Sequence, residues 1–246
     1  INDFQMMLDD QEVDAIMLGR GGYGAVRIID GIDFKKFSSK PKWIIGFSDA
    51  TVIHSHLNAN FGIASIHSKM CNSFPDEWSF AEQTQVDSID SIRKCLFGEK
   101  MKYLVVPDQQ NKLGFGEGSL IGGNLSIIEN LAASASDINT DGKILFLEEV
   151  GEYAYNIDRM LWNLKRSGKF QKLKGLLICG FKMKPDDVGE EFGMNLYQMV
   201  LEKVKEFNYP VCFNFPVGHQ KENYALKCSV KHTLIADENG VELIEV

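Results

Sequence analysis

The stretch Trp43-Ile44-Ile45-Gly46-Phe47-Ser48-Asp49-Ala50-Thr51 decides the fold and raises the question of function. Its apolar start, Trp43 to Ile45, predicts a short buried strand, and Ala50 to Leu57 can form a helix. Ser48 lies on the sharp turn between them, where free amides and the positive end of the helix dipole stabilise a developing oxyanion. A nucleophilic serine needs this position, but a plain N-cap serine occupies it too, and Ala50 departs from the G-x-S-x-G pattern.

A second strand and helix precede this stretch. The apolar run Asp14 to Leu18 leads into Arg20-Gly21-Gly22-Tyr23-Gly24, and Ala25 to Ile29 can then be helical. Strands that alternate with helices predict a parallel sheet, and ligands gather at the carboxyl ends of such strands. Because Gly22 and Ser48 each follow a predicted strand, we expect both on the same rim of the sheet.

The pattern changes after the first third of the chain. We expect an N-terminal α/β domain over residues 1–80, a connector with a short helix near 89–97 over residues 81–104, and a C-terminal domain over residues 105–246. The elements predicted after residue 100 are strands at 103–106, 118–121, 144–147, 175–179 and 229–236, and helices at 125–133, 157–167 and 195–207.

Composition excludes several classes of protein. The 246 residues carry a net charge of −8, which argues against a general nucleic-acid surface. No run approaches the roughly 18 apolar residues of a membrane span, so no membrane partner is expected. The five cysteines form no C-x-x-C pair, and the five histidines lack metal-ligand spacing, so neither a metal site nor a cofactor is predicted.

The first residues, Ile1-Asn2-Asp3-Phe4, have no secretory signal pattern. They also lack an initiator Met and run directly into helix-like sequence, so we expect a fragment or a processed chain. The scattered cysteines indicate a reducing compartment, and a cytoplasmic location is therefore expected.

Two segments near the N-terminus can contact a substrate. The glycines around Gly22 allow a ligand to approach bare backbone amides, although a tight turn explains them equally well. The guanidinium of Arg20 can clamp a carboxylate with two hydrogen bonds, and the alternative is a surface salt bridge.

Two later segments offer the other groups of a hydrolase. The apolar strand Ile144 to Val150 includes Glu148 and Glu149, and a carboxylate there can orient an imidazole or simply lie in solvent at the strand end. His219 follows Pro216-Val217-Gly218 and is a candidate general base. Four histidines compete with it, and they are His54, His56, His67 and His232.

Taken together, these segments resemble the LD-carboxypeptidases, or muramoyltetrapeptide carboxypeptidases, a serine-peptidase family that also contains the microcin C self-immunity peptidases. Six matching pieces occur in family order and cover nearly all of the chain. They are Arg20-Gly21-Gly22-Tyr23-Gly24, Gly46-Phe47-Ser48-Asp49, Gly118-Ser119-Leu120-Ile121-Gly122-Gly123-Asn124-Leu125, Ile144-Leu145-Phe146-Leu147-Glu148-Glu149-Val150-Gly151-Glu152, Tyr155-Asn156-Ile157-Asp158-Arg159-Met160-Leu161 and Gly218-His219.

The resemblance implies a triad in which Ser48 is the nucleophile, Glu148 the carboxylate and His219 the general base. It assigns the oxyanion hole to the amides of Gly22 and Asp49. The substrate implied is a murein tetrapeptide, cleaved before its terminal D-alanine in cytoplasmic cell-wall recycling. Next to the oxyanion loop, Arg20, Gly21 and Tyr23 are candidate substrate contacts, and Arg20 is chosen for its charge.

The resemblance also implies an overall α/β architecture. The family has a flavodoxin-like, parallel-sheet N-terminal domain that carries the serine and a C-terminal, β-rich, barrel-like α+β domain that carries the glutamate and histidine. Catalysis takes place in the cleft between them, and members are commonly homodimers. A further strand and helix normally precede the point where this chain starts, so the first domain is expected to be truncated.

Two departures and two rivals remain. The family often has Gly and then Leu-Pro after the histidine, where this chain has Gln220 to Lys227, and Glu149 is usually Asp. One rival is a microcin C-type peptidase that cleaves a peptidyl or aminoacyl nucleotide, for which Trp78 or Trp162 would stack on the base. The other rival is a non-catalytic ligand-binding α/β module in which Ser48 is only an N-cap.

Overall fold

A computed structural model describes residues 1–246. The helices are α1 (Asn2–Asp9), α2 (Ala25–Ile28), α3 (Lys35–Ser39), α4 (Thr51–Phe61), α5 (Gln83–Leu96), α6 (Leu125–Asn130), α7 (Ala154–Arg166) and α8 (Leu196–Val204). The strands are β1 (Ala15–Met17), β2 (Trp43–Gly46), β3 (Ser65–His67), β4 (Lys102–Val105), β5 (Gly114–Asn124), β6 (Ile144–Val150), β7 (Gly175–Lys182), β8 (Val211–Cys212), β9 (Leu226–Cys228), β10 (Lys231–Asp237) and β11 (Gly240–Glu245).

The first sheet has the strand order β1-β2-β3-β9. The pairs β1·β2 and β2·β3 are parallel, as the alternation of strands and helices predicts, whereas β9 is antiparallel to β3. Ile16 and Ile44 pack with Val52 and Leu57 of α4 in one buried cluster. The carboxyl ends of β1 and β2 therefore lie side by side, and the loops that follow them meet on one rim.

The second sheet has the order β4-β11-β10-β5-β6-β7-β8. Strands β5 to β8 are parallel to one another, and the β4, β11, β10 and β5 neighbours are antiparallel. An isolated bridge between Lys112 and Val211 links the segment ahead of β5 to β8. The second sheet is therefore mixed, and the bridge brings its β8 edge against the chain that leads into β5.

The two sheets share a core. One cluster of buried side chains contains Ile45 and Ile66 from the first sheet together with Leu120 and Phe146 from the second. The other face of the second sheet is covered by α6, α7 and α8. Because β6 is covered on both faces, it reads in the sequence as a continuous apolar run rather than an alternating one.

The helix that follows Ser48 is joined directly to the second sheet. The amide N–H of Asn124, at the end of β5, donates to Thr51 Oγ1 over 3.0 Å. Gly123 permits this contact, because a Cβ at that residue would lie 2.4 Å from Thr51 Oγ1. The contact therefore fixes the start of α4 against the carboxyl end of β5.

The structure extends several predicted elements. Helix α5 begins at Gln83, well before the expected start at residue 89. The early start was not predicted because the first turns of the helix are polar and carry little apolar periodicity. The strands β3, β8 and β9 are only two or three residues long and were too short to predict from their pattern. No helix combines the length and the apolar composition that a membrane crossing requires.

Candidate active site

Ser48 has a strained backbone. Its φ is +60°, in the left-handed region that non-glycine residues seldom adopt, and it is the first residue of the short 3-10 turn Ser48–Ala50 that leads into α4. Such strain costs about 1–3 kcal/mol and clusters at functional sites. A Cβ on Gly46 would lie 3.0 Å from the Cβ of Ala50, so a small residue is needed for the turn to fold back this tightly.

The loop 20–24 packs against this turn. A Cβ on Gly21 would lie 3.2 Å from Ser48 Cβ and 3.3 Å from Ser48 Oγ, so only glycine leaves the hydroxyl uncrowded. Gly22 has a φ of +137°, which favours glycine. The side chain of Asp49 accepts the amide N–H of Ala25 at 2.9 Å and ties the end of the loop to the serine turn. The family resemblance implies a role only for the amide of Asp49, and its carboxylate has this second contact.

The partly exposed His219 is paired with the buried Glu148. His219 Nδ1 lies 2.5 Å from Glu148 Oε2, and the Glu148 side chain is fully buried while that of His219 is 19% exposed. A carboxylate that accepts the Nδ1 proton leaves Nε2 as the basic nitrogen and stabilises the imidazolium that forms when Nε2 takes a proton. The pair joins residues 71 positions apart in the chain.

Ser48 and His219 line the same cavity. This cavity has a volume of about 460 Å³, and its lining residues are Arg20, Gly21, Gly22, Phe47, Ser48, Met70, Asn72, Ser73 and His219. The rings of Phe47 and His219 are in contact, with centroids 4.8 Å apart. No hydrogen bond joins Ser48 Oγ to His219 in this structure, so the complete triad stays a prediction.

The neighbouring acid, Glu149, has a different role. Its carboxylate accepts the Asn124 side-chain amide at 3.1 Å and the amides of Val150 and Ser126 at 2.8 and 2.7 Å. Burial raises the pKa of Glu149, and these hydrogen bonds oppose the rise. The side-chain oxygen of Asn124 accepts the amide N–H of Ile127 and thereby caps α6. Of the adjacent residues Glu148 and Glu149, only Glu148 contacts His219.

The other histidines are held elsewhere. His54 contacts Ser65 and the carbonyl of Gly46, and burial lowers its pKa to about 4. His67 is fully buried with no partner for either ring nitrogen, and burial lowers its pKa well below the usual value. His56 contacts Ser136, and His232 contacts the carbonyl of Val230. None of these four lines the cavity of Ser48.

Two of the three candidate substrate contacts, Arg20 and Gly21, line the cavity. Arg20 is exposed, and its only hydrogen bond is a long one of 3.4 Å from Nε to the carbonyl of Gly21. Its guanidinium is therefore available for an anion. Tyr23 is 79% exposed and is not among the lining residues. Trp78 is 56% exposed and contacts Phe74, while Trp162 lies on α7 and is 38% exposed.

Known proteins match both halves of this arrangement. Residues 1–68 match the LD-carboxypeptidase N-terminal domain, and residues 117–234 match the LD-carboxypeptidase C-terminal domain. A probable murein peptide carboxypeptidase of Bacillus subtilis (strain 168) is 31% identical over 236 residues, which cover 93% of this chain and 71% of the relative.

Solved structures give the same result. The muramoyltetrapeptide carboxypeptidase from Oxalobacter formigenes superposes with a TM-score of 0.88 at 25% identity, over 100% of this chain and 82% of that one. The MccF-like protein of Bacillus anthracis str. Ames superposes with a TM-score of 0.83 at 21% identity, over 100% and 80% of the two chains, which speaks for the fold alone. The resemblance and the α/β fold class inferred from the sequence are confirmed. This chain belongs to the LD-carboxypeptidase family.

Proposed function

We propose that this chain is a serine carboxypeptidase that hydrolyses the LD-amide bond before the terminal D-alanine of murein tetrapeptides in cell-wall recycling. The observation that carries the proposal is that His219, which is paired with the buried Glu148, lines one cavity with the strained Ser48. The printed descriptions of the relatives, a murein peptide carboxypeptidase and a muramoyltetrapeptide carboxypeptidase, support the substrate class.

The mechanism follows from the roles of the three side chains. His219 Nε2 takes the proton of Ser48 Oγ as the oxygen attacks the carbonyl carbon of the scissile amide. The imidazolium is held by Glu148, and it then protonates the leaving amine so that D-alanine departs. Water, deprotonated by the same nitrogen, hydrolyses the acyl-enzyme and regenerates Ser48.

The oxyanion of the tetrahedral intermediate needs hydrogen-bond donors. In our proposal the amides of Gly22 and Asp49 supply them, since the loop of Gly22 packs against Ser48 and Asp49 follows it directly. Preorganised amides of this kind typically contribute about 3 kcal/mol of transition-state stabilisation each. The hydrogen bond from Ala25 to the Asp49 carboxylate holds the two donors at a fixed separation.

Substrate selection is assigned to the mouth of the cavity. A carboxypeptidase must recognise the free carboxylate of its terminal residue, and Arg20 offers an exposed guanidinium beside Ser48. Gly21 and Tyr23 are the neighbouring contacts in this proposal. We assign residues 1–80 and 105–246 to the two domains, with residues 81–104 as the connector. We also propose that the active protein is cytoplasmic. We further propose that it is a homodimer, which a molar mass measured by light scattering in solution would test.

The decisive experiment measures D-alanine release from a murein tetrapeptide by mass spectrometry. Wild-type protein is expected to release D-alanine, and Ser48→Ala is expected to lose on the order of 10^4- to 10^6-fold in kcat. Ser55→Ala is the matched control, because Ser55 is a buried serine on α4 whose hydroxyl has no partner. Full activity in Ser48→Ala would instead support the non-catalytic role of Ser48.

A second substrate separates the two enzymatic hypotheses. A peptidyl or aminoacyl nucleotide is offered to the same protein under the same conditions. Hydrolysis of the nucleotide conjugate without D-alanine release would contradict the murein assignment and favour the microcin C-type reaction. Release of D-alanine alone supports the assignment made above.

A further inference from the structure

Helix α5 lies outside both segments that match the family, since those matches end at residue 68 and resume at residue 117. Two serines on α5, Ser88 and Ser91, are buried, with exposed fractions of 0% and 4%. Burying a hydroxyl without a hydrogen-bond partner costs free energy. The partners of Ser88 and Ser91 therefore show which segment α5 packs against.

Each serine hydroxyl accepts a hydrogen bond from a backbone N–H of the segment that follows His219. Ser88 Oγ accepts the N–H of Asn223 at 3.2 Å, and Ser91 Oγ accepts the N–H of Ala225 at 2.8 Å. The same hydroxyls donate back to carbonyls of their own helix, at 2.7 Å to Thr84 and 2.5 Å to Ser88. Residues three apart on a helix face the same way, and so do alternate residues of an extended segment. The spacing of Ser88 and Ser91 on α5 therefore matches the spacing of the Asn223 and Ala225 amides.

Asn223 carries the connection to the histidine. Its side chain is buried, and its Oδ1 accepts the N–H of Gly218 at 2.9 Å. Gly218 immediately precedes His219, whose Nδ1 contacts Glu148. A continuous series of hydrogen bonds therefore runs from the serines of α5 through Asn223 to the loop that carries the histidine.

The N-terminal part of α5 also contacts a second segment that lines the cavity. Gln85 Nε2 donates to the carbonyl of Ser73 at 2.7 Å, and Ser73 lines the cavity that contains Ser48 and His219. One exposed ion pair, Lys221–Glu82 at 3.0 Å, also joins the two segments but contributes little because it is solvated. The buried serines are therefore the contacts that matter for position.

We propose that Ser88, Ser91 and Asn223 are positioning residues, and that α5 thereby fixes the loop of His219 relative to Glu148 and the cavity wall. The inference rests on the proposed function in one respect, the role of His219 as general base. A displacement of about 1 Å in a catalytic group can cost on the order of 10²-fold in rate. Loss of the serine hydroxyls leaves the amides of Asn223 and Ala225 unpaired and frees the loop to shift.

The experiment compares wild type with Ser88→Ala/Ser91→Ala in steady-state hydrolysis of the tetrapeptide. The expected result is a fall in kcat of about 10- to 100-fold with little change in KM, because the loop does not bind the terminal carboxylate. Ser88→Thr, which keeps the hydroxyl that holds Asn223, is expected to restore most of the lost kcat when it is combined with Ser91→Ala. Equal kcat in the double variant and wild type would overturn the proposal.

A spectroscopic readout is independent of turnover. The His219 Nδ1 proton in its 2.5 Å contact with Glu148 should give a downfield proton resonance, assigned by its loss in Glu148→Gln. The resonance is expected to move upfield or broaden in the double variant. An unchanged resonance contradicts the positioning role even if the tetrapeptide is not the substrate. Conversely, a shifted resonance with no D-alanine release by wild type rejects the proposed function and keeps the positioning role.

The matched control is Ser134→Ala. Ser134 Oγ also donates to a carbonyl three residues back, that of Leu131, and accepts a backbone amide, that of Ser136 at 3.1 Å. Its partners are not on the loop of His219. Because Ser134 is exposed, Ser134→Ala is expected to lower the free energy of unfolding by less than Ser91→Ala, and to leave kcat and the downfield resonance unchanged. A matching fall in kcat would show that the effect is general destabilisation.

Discussion

The backbone of Gly218 lies directly against the side chain of Glu148. A Cβ at residue 218 would lie 2.6 Å from the Cβ and 3.0 Å from the Cγ of Glu148, and the φ of Gly218 is +101°. Both the space and the backbone conformation therefore require glycine. This close approach is what allows the next residue, His219, to reach the buried carboxylate.

Gly218→Ala is expected to remove most of the activity. The methyl group would push the loop away from Glu148, so kcat should fall by on the order of 10²-fold or more. Strain and overpacking should lower the free energy of unfolding by about 2–5 kcal/mol. Urea unfolding and D-alanine release measure the two effects.

Gly62→Ala is the control for that substitution. Gly62 has a φ of +63° and open space around it, at the end of α4. Its replacement should cost about 1–2 kcal/mol of stability through backbone strain alone, with no loss of kcat. A Gly218→Ala protein that keeps wild-type kcat would show that the close approach to Glu148 is dispensable.

Replacement of Glu148 should lower kcat, whereas replacement of the adjacent Glu149 should lower stability. Glu148→Gln cannot stabilise the imidazolium of His219, so kcat should fall by on the order of 10^4-fold. Glu149→Gln replaces an acceptor with a donor where three N–H groups converge, and should lower the free energy of unfolding by about 1–3 kcal/mol. Its kcat should stay near the wild-type value at temperatures where it is folded. A large loss of kcat in folded Glu149→Gln would contradict this division.

Arg20→Ala should weaken substrate binding with little effect on kcat. A charge-assisted hydrogen bond to the terminal carboxylate contributes about 1.5–3 kcal/mol, so KM should rise about 10- to 100-fold. Arg27→Ala is the control, since Arg27 is an exposed arginine on the neighbouring helix α2 outside the cavity.

A substrate with an amidated C-terminus completes the Arg20 experiment as a double-mutant cycle. Amidation should raise KM for wild type and for Arg27→Ala. In Arg20→Ala, amidation should change KM little, because the partner of the carboxylate is already gone. Equal penalties in all three proteins would mean that another group recognises the carboxylate.

Acid should destabilise the fold through His54. Its imidazole is fully buried with a pKa of about 4, whereas the unfolded chain titrates near 6.5. Between these values the unfolded chain binds the extra proton, so the free energy of unfolding falls as the pH is lowered from 6.5 to 4. The loss attributable to this group is about 3 kcal/mol at the low end.

Urea unfolding at several pH values tests the role of His54. His54→Gln keeps hydrogen-bonding groups near Ser65 and the Gly46 carbonyl but does not titrate. The variant is expected to be less stable at neutral pH and to show a shallower loss between pH 6.5 and 4. An unchanged slope would assign the acid sensitivity to other groups, such as the buried His67 and His232.

The parallel sheet and the segments of the site could be predicted because local signals were strong. The apolar runs at β1 and β2 each end at glycines, and the segments that carry Ser48, Glu148 and His219 each have a distinct pattern. The choice of Glu148 over Glu149 came from the family resemblance, because two adjacent acids on a strand differ only in which face they take, and the packing of β6 decides that.

Other features depend on contacts that no local pattern records. The polar start of α5 offers no apolar stripe, and Ser88 and Ser91 resemble surface residues until Asn223 and Ala225 are placed beside them. The hydrogen bond between Asp49 and Ala25 joins residues 24 positions apart and has no motif of its own.

Strand β9 gives the first sheet its far edge, although it is made from Leu226–Cys228, close to the C-terminus. During synthesis, one edge of β3 stays unpaired until β9 emerges, more than 150 residues later. Exposed edges of this kind invite pairing with other chains. A ribosome-bound nascent chain therefore needs chaperone protection around β3 until Leu226–Cys228 has emerged and paired with it.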